Sequence, residues 1–275
     1  MKRKIMDTIF AITWLALVYE FFGEMIGAIV DVAFLENLNI NKSILDILQS
    51  YFITVFSLIF FIIMFKVIKR DNFMLKKFNF KNNKILLGLS VGFIANSICV
   101  LMAFLNGDLT LSMNNISIGI FLFAFICVFI QCLEEEVLCR LFYYERVKKS
   151  YSVKTAIIAN TLFFALLHIF NPGMTIIAFI SLVMFGLLTS IFVYRFDNIW
   201  GAATVHFSWN FTQNIIYGLP NSGFEAPCSL FKVVKANNSL FYDVSFGIEG
   251  TIFSIIILFF SCILVYYLGK KKLSK

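Results

Sequence analysis

Three consecutive glutamates, Glu134, Glu135 and Glu136, lie in an otherwise apolar run and are followed by Arg140. Residues four apart share a face of an α-helix, so Glu136 and Arg140 are placed to form an ion pair. Glu135 is turned about 100° away from that pair and has apolar residues three and four positions later. Such a carboxylate is typical of a general base or acid. The alternative is an acidic cluster at a helix end, held by neighbouring basic side chains.

The sequence contains 2 His, and both lie in apolar runs. His168 follows Phe164 by one helical turn, and His206 precedes Asn210 by one helical turn. A buried histidine is often only a hydrogen-bonded structural residue. Two such histidines, with an amide beside one and carboxylates on another segment, instead predict a site for proton transfer or for metal binding.

Long apolar segments carry these residues. The chain has 275 residues, of which 60% are hydrophobic and 14% charged, whereas soluble domains have about 25% charged residues. We therefore predict an all-α, polytopic transmembrane bundle of about eight helices, forming a single membrane domain over residues 1–275. The predicted runs lie near 5–30, 44–68, 85–105, 116–147, 153–170, 174–195, 199–218 and 245–269.

Basic residues occupy every second gap between the runs. The positive-inside rule therefore predicts a multi-pass protein of the cell membrane with both termini in the cytoplasm. The basic residues that give this pattern are Lys2, Arg3, Lys4, Lys66, Lys69, Arg70, Lys76, Lys77, Lys81, Lys84, Arg146, Lys148, Lys149, Lys154, Arg195, Lys270, Lys271 and Lys272. The net charge of +7 thus follows topology, and we predict no nucleic-acid partner. The Asn, Ile, Lys and Phe bias favours a bacterial source.

The helix rise allows a rough comparison of depth. Glu135 lies about 18 Å from the predicted cytoplasmic turn near residue 147, and His168 lies about 24 Å from residue 152. His206 lies only about 10 Å from residue 199. These depths agree if the hairpin at 141–152 projects into the cytoplasm, which its charges favour. The site would then lie within the bilayer, nearer the cytoplasmic side.

Three motifs resemble those of one known family. Residues 135–140 read Glu-Glu-x-x-x-Arg, residues 164–168 read Phe-x-x-x-His, and residues 206–210 read His-x-x-x-Asn. In this order, on separate predicted helices, they resemble the CAAX protease and bacteriocin-processing (CPBP, or Abi) family of intramembrane endopeptidases. The resemblance covers about 116–218, the expected catalytic core, and the additional Glu134 departs slightly from the pattern.

The resemblance implies hydrolysis of a peptide bond within the membrane by a glutamic-type endopeptidase. It implies that Glu135 and His168 activate the attacking water, and that His206 and Asn210 stabilise the oxyanion. It also implies that Glu136, Arg140 and Phe164 support the catalytic residues structurally. The expected partners are the lipid bilayer and a peptide or membrane-protein substrate, including lipid-modified ones. No cofactor is expected. The alternative is zinc, since two histidines and a glutamate also form a catalytic zinc set.

Two other functions use the same residues. Intramembrane Glu and His also form proton relays, and Glu20 and Glu24 in the first run fit a proton-coupled transporter better than a protease. However, the chain shows no pair of matched halves with broken helices. A non-catalytic membrane protein that binds a peptide partner or regulates another protein is the second alternative. The segment 219–243 is predicted to be a loop, a candidate lid without chemistry of its own.

Overall fold

The structure is a computed structural model that describes residues 40–68 and 82–269, with the single positions Met25, Ile29 and Leu35. Most of the predicted first run, including Glu20 and Glu24, lies outside the described residues. The basic residues before position 5 and after position 269 lie outside them as well. The transporter alternative, which depends on Glu20, therefore stays a prediction that the described part of the chain does not test.

The described elements are mainly helices. In chain order they are α1 (Lys42–Ile68), α2 (Asn82–Leu105), β1 (Leu109–Met113), α3 (Ile118–Glu136), α4 (Glu145–Ser150), α5 (Val153–Leu167), α6 (Ile176–Phe196), α7 (Ile199–Asn210), β2 (Phe231–Ala236) and α8 (Ile252–Leu268). A π-helical segment, Val137–Tyr144, joins α3 to α4, a second one, Phe211–Ile216, extends α7, and a 3₁₀ turn, Ile248–Gly250, precedes α8.

Each predicted run from 44–68 onward contains one of these helices, which confirms a helical bundle. Among the described residues, three helices are long and apolar enough to cross a membrane: Asn83–Leu105, Ile118–Ser150 and Ile176–Phe196. Two shorter helices, Val153–Leu167 and Ile252–Leu268, are also apolar. The helical membrane class predicted from the sequence is therefore confirmed, whereas the count of eight spans and the side of the termini stay predictions.

Polar caps explain where the helices begin. At the first turn of five helices, a side-chain oxygen of the preceding residue accepts a hydrogen bond from the third backbone N–H, which would otherwise have no partner. Ser117 caps α3, Ser152 caps α5, Thr175 caps α6, Asn198 caps α7 and Thr251 caps α8. These caps fix the phase of the helices that carry the candidate site.

The two ends of the bundle differ. At one end, Lys84 Nζ lies 4.3 Å from the ring centroid of Phe196, and the Arg195 guanidinium lies 4.4 Å from that of Tyr266. We call this the basic end. At the other end, which we call the sheet end, β1 and β2 form an antiparallel pair with Leu109 opposite Ala236 and Met113 opposite Phe231. The prediction that 219–243 is only a loop is therefore wrong, because β2 lies within it.

Close packing of α2 against α7 sets the position of the helix that carries His206. A Cβ added to Gly92 would overlap the carbonyl oxygen of Val205 and the hydroxyl of Ser208. The absence of a side chain at this position lets the two backbones approach, as small residues do at helix contacts in membranes.

Substitution of Gly92 tests this contact. We expect Gly92→Ala to lower the free energy of unfolding by about 1–3 kcal/mol, because the new methyl group must displace backbone atoms of α7. Gly119→Ala on α3 is the matched control, since nothing lies within 4 Å of a Cβ built there. Unfolding of both variants in the same detergent provides the measurement. A Gly92→Ala protein as stable as the Gly119→Ala protein would contradict the packing described.

Candidate active site

One carboxylate and two imidazoles converge between α3, α7 and the end of α5. Glu135 Oε2 lies 3.8 Å from His168 Nε2 and 3.9 Å from His206 Nε2. The side chains of Glu135 and His168 are 15% and 14% exposed, whereas that of His206 is 3% exposed. The three candidate residues from three separate motifs thus share one site, which retains limited access from outside.

In each histidine, the partner of Nδ1 determines whether Nε2, the nitrogen that faces Glu135, carries a proton. His168 Nδ1 lies 2.9 Å from the backbone carbonyl oxygen of Phe164, and His206 Nδ1 lies 3.1 Å from Glu136 Oε1. A carbonyl and a carboxylate oxygen both accept hydrogen bonds, so we assign a proton to Nδ1 of each ring. In the neutral rings, Nε2 then carries a lone pair that faces Glu135.

Glu135 Oε2 and Nε2 of both histidines therefore point toward one position. Glu135 Oε2 is buried and has no hydrogen-bond partner among the described residues. A buried polar atom without a partner needs an explanation in function. A molecule with two hydrogens, such as water, could donate to two of these atoms at once, and this places a nucleophile next to a base.

The other carboxylate oxygen of Glu135 is held in place. Gln131, one turn earlier on α3, donates a short hydrogen bond from Nε2 to Glu135 Oε1. The Cys132 thiol in turn lies 3.3 Å from Gln131 Oε1. This contact directs Oε2, and not Oε1, toward the histidines. Sequence reasoning missed Gln131, although its position four residues before Glu135 was available as a signal.

Glu136 and Arg140 form a buried support beneath the site. Arg140 Nη1 lies 3.0 Å from Glu136 Oε1, and both side chains are fully buried. Arg140 Nη2 also donates to the Gly186 carbonyl oxygen at 3.2 Å and, through a short hydrogen bond, to the Thr189 hydroxyl on α6. Because Glu136 also contacts His206, the pair links α3, α6 and α7 in the arrangement that the site requires.

An irregular stretch of helix follows directly after the glutamates. The segment Val137–Tyr144 is π-helical, and so is Phe211–Ile216, which follows directly after Asn210. Single π turns within α-helices occur frequently at functional sites, because they change the phase of the residues around them. Two of the three motif-bearing helices, α3 and α7, therefore change phase immediately beyond their candidate residues.

Aromatic rings form the apolar wall of the site. The Phe164 ring centroid lies 4.8 Å from that of His168 and 5.7 Å from that of His206, and the Arg140 guanidinium lies 4.6 Å from the same ring. Phe185 on α6 lies 5.1 Å from His206. These contacts fix both imidazole planes and limit water around Glu135. Phe164 thus lies beside both histidines.

The hydrogen bonds of Asn210 within the described residues join it to Cys132 and Asn221. Its Nδ2 donates to Cys132 Sγ at 3.5 Å, and its Oδ1 accepts from Asn221 Nδ2 at 3.3 Å. It is buried one turn beyond His206 on α7. Thiol sulfur is a weak acceptor, so the amide hydrogens of Asn210 are available to a stronger one.

One buried glutamate, at the sheet end, was missed by the sequence reasoning. Glu249 lies in the 3₁₀ turn before α8, and its carboxylate accepts from Trp209 Nε1 at 2.8 Å and from Ser222 N at 2.7 Å. Burial raises the pKa of Glu249, partly offset by the hydrogen bonds from Ser222 and Trp209. No motif marked this residue, because its partners are distant in the sequence.

The described residues contain no group of three or more His, Cys, Asp and Glu side chains placed to hold a metal ion. Their 6 Cys are all free thiols. The candidate zinc ligands Glu135, His168 and His206 lie close together, and the facing atoms of Glu135 and the two histidines are 3.8 and 3.9 Å apart, which is beyond hydrogen-bonding distance.

Fold and site together define a helical membrane protein with a buried glutamate–histidine cluster. Residues 115–212 match the family model described as Rce1-like, type II CAAX prenyl endopeptidase Rce1-like. The match confirms the resemblance to the CAAX protease family for this part of the chain. It spans all seven candidate residues and excludes α1, α2, α8 and Glu249. Neither a curated protein nor a solved structure matches the chain.

Proposed function

We propose that the protein is an intramembrane endopeptidase of the glutamic type. The observation that carries this proposal is the convergence of Glu135 Oε2 with Nε2 of His168 and of His206 at 3.8 and 3.9 Å. The proteases of the matched family support it. Residues 116–218 form the catalytic core of a single membrane domain in this proposal.

The first step is attack by water. A water molecule between the three groups donates one hydrogen to Glu135 Oε2 and the other to His168 Nε2. As its oxygen bonds to the peptide carbonyl carbon, a proton passes to Glu135, and the carbonyl oxygen becomes an oxyanion. When the carbon–nitrogen bond breaks, Glu135 returns that proton to the leaving nitrogen. The products are a new carboxyl group and a new amine.

The oxyanion formed by this attack needs hydrogen-bond donors. His206 Nε2 can donate only when both ring nitrogens carry protons, and the Glu136 carboxylate 3.1 Å from Nδ1 stabilises that imidazolium. Asn210 donates an amide hydrogen to the oxyanion. This hydrogen bond replaces the weaker one that Asn210 Nδ2 makes to the thiol of Cys132. Donors fixed in a site with little water stabilise a developing negative charge strongly.

The surroundings of His168 favour an apolar substrate. Leu166, Ile169 and Phe170 are 43%, 42% and 96% exposed around the end of α5. In a membrane these side chains face lipid, and a peptide that reaches Glu135 past them must be apolar or carry a lipid group. We therefore propose a peptide or membrane-protein substrate, lipid-modified ones included.

The described basic residues support a location in the cell membrane with both termini in the cytoplasm. Lys84 and Arg195, from different predicted gaps, meet at the basic end, and β1 and β2 lie at the opposite end. The positive-inside rule places the basic end in the cytoplasm. The segments around Asn221 and Glu249 then approach the site from the outer side.

A chelator distinguishes the metal-free mechanism from its zinc alternative. We propose that no metal takes part, because His206 is followed one turn later by an amide suited to donating. We expect a chelator to leave peptide cleavage by the purified protein unchanged, and His168→Ala to lower kcat by at least about 100-fold. Loss of activity on chelation, with recovery on added zinc, would contradict the metal-free mechanism and favour zinc.

A further inference from the structure

The buried carboxylate of Glu249 connects the segment 219–243, which we call the outer segment, to the helix that carries His206 and Asn210. Its Oε1 accepts from Trp209 Nε1 at 2.8 Å and lies 3.4 Å from Asn221 Nδ2. Its Oε2 accepts from the backbone N–H of Ser222 at 2.7 Å and from the Ser222 hydroxyl at 2.8 Å. In the described part of the chain, no Lys or Arg forms an ion pair with Glu249. Both of its oxygens are therefore occupied by donors from α7 and from one turn.

That turn has a backbone conformation that requires support. Ser222 has φ of +48°, in the left-handed region that favours glycine, and Gly223 follows with φ of +90°. A residue other than glycine remains in this region only when its surroundings hold it there. The two hydrogen bonds from Ser222 to Glu249 supply that constraint.

The Asn221–Ser222 turn also orients the side-chain amide of Asn210. Asn221 Nδ2 donates to Asn210 Oδ1 at 3.3 Å. An amide that accepts through its oxygen on one side must present its NH2 group on the other, and the Asn210 NH2 group faces Cys132 on α3. A rotated Asn221 would remove the contact that selects this orientation.

We propose that Glu249 is a positioning residue of the peptidase site, which holds the Asn221–Ser222 turn against α7 so that Asn221 fixes the Asn210 amide with its donor directed inward. This inference rests on the proposed function, and it adds a residue outside the segment that matches the family. Glu249 also lies close enough to interact electrostatically with His168. The outer segment thereby becomes part of the site.

Glu249→Gln tests the proposal with a minimal change in shape. A glutamine has one accepting oxygen, so its NH2 group must face either Trp209 Nε1 or the Ser222 N–H, both of which are donors. We expect kcat for peptide cleavage to fall by about 10- to 100-fold with little change in KM, because the donor of Asn210 is misplaced. Asn221→Ala should have the same effect, and the double variant should lose no more than the larger single loss.

Glu145→Gln is the matched control. Glu145 is also a buried carboxylate, but it lies at the start of α4 and pairs with Lys148 at 3.5 Å, so we expect wild-type kcat. Hydrogen exchange of the 219–224 segment gives a readout besides activity. Glu249→Gln should accelerate exchange there, because the Ser222 N–H loses its carboxylate acceptor.

Wild-type kcat in the Glu249→Gln protein, or additive losses in the double variant, would overturn the proposal. If the wild-type protein cleaves no peptide, the proposed function fails and hydrogen exchange alone decides whether Glu249 holds the turn. Faster exchange in Glu249→Gln would then support that connection, and unchanged exchange would overturn it.

Discussion

Glu135→Gln should lower kcat/KM for peptide cleavage by about 1,000-fold or more while leaving the protein folded. The substitution retains the acceptor that Gln131 contacts, but an amide cannot take the proton of the attacking water. Loss of a general base usually lowers the rate by about 10²- to 10⁴-fold. The measurement is steady-state cleavage of a quenched fluorogenic peptide by purified protein in nanodiscs.

Glu134→Gln is the control for this prediction. Glu134 is a buried carboxylate adjacent in sequence, and the helix turns it about 100° away from Glu135. We expect its substitution to retain most of the activity. Equal losses in the Glu134→Gln and Glu135→Gln proteins would show that the acidic cluster supports the helix end and does not perform proton transfer.

Arg140→Met should have the largest effect on stability. Arg140 Nη1 lies 3.0 Å from Glu136 Oε1, and neither side chain is exposed. Removal of the cation leaves Glu136 buried and without its charge partner, and breaking such a pair lowers the free energy of unfolding by about 3–5 kcal/mol. Loss of the hydrogen bonds from Arg140 to Gly186 and Thr189 should also loosen α3 from α6. Chemical unfolding in a single detergent measures the change.

The double variant Glu136→Gln/Arg140→Met separates the buried charge from lost packing. It removes both charges, so we expect it to recover a substantial part of the stability that Arg140→Met loses. Its activity should nevertheless remain low, because His206 Nδ1 no longer faces a carboxylate. A double variant that is less stable than Arg140→Met would contradict the ion-pair account.

Local spacing predicted those parts of the site that lie within a single helix. The four-residue spacing placed Glu136 beside Arg140, and the structure brings their charged atoms within 3.0 Å. The same spacing put Phe164 beside His168 and the rings lie 4.8 Å apart. These contacts depend only on the 3.6-residue period, so the sequence contains them.

Contacts between helices could not be predicted in the same way. Glu136 also contacts His206, 70 residues later, and that contact depends on how α2, α3 and α7 pack. The depths inferred from the sequence differed between Glu135 and His206. In the structure the helix that begins with α3 continues without a break to Ser150, and Glu135 Oε2 lies 3.9 Å from His206 Nε2.

The structure differs most from the sequence-based prediction in the outer segment. The strands β1 and β2 pair across more than a hundred residues, so no single turn connects them. In the sequence, Glu249 lies near the start of the last predicted apolar run, 245–269, and belongs to none of the three motifs. Only the tertiary structure shows that it accepts hydrogen bonds from Trp209 and Ser222 beside the site.

Hydrolysis in ¹⁸O-labelled water is the most direct test of the central claim. Purified wild-type protein in nanodiscs would be incubated with an apolar peptide library in the presence of a chelator. The library would be used with and without a lipid-modified cysteine, and the masses of the fragments would be measured by mass spectrometry. We predict cleavage at defined bonds, with one ¹⁸O in each new carboxyl group, and none of these fragments from the Glu135→Gln protein. If the two proteins give the same fragments, or if wild-type protein gives none, the peptidase account is contradicted and a non-catalytic binding role is favoured.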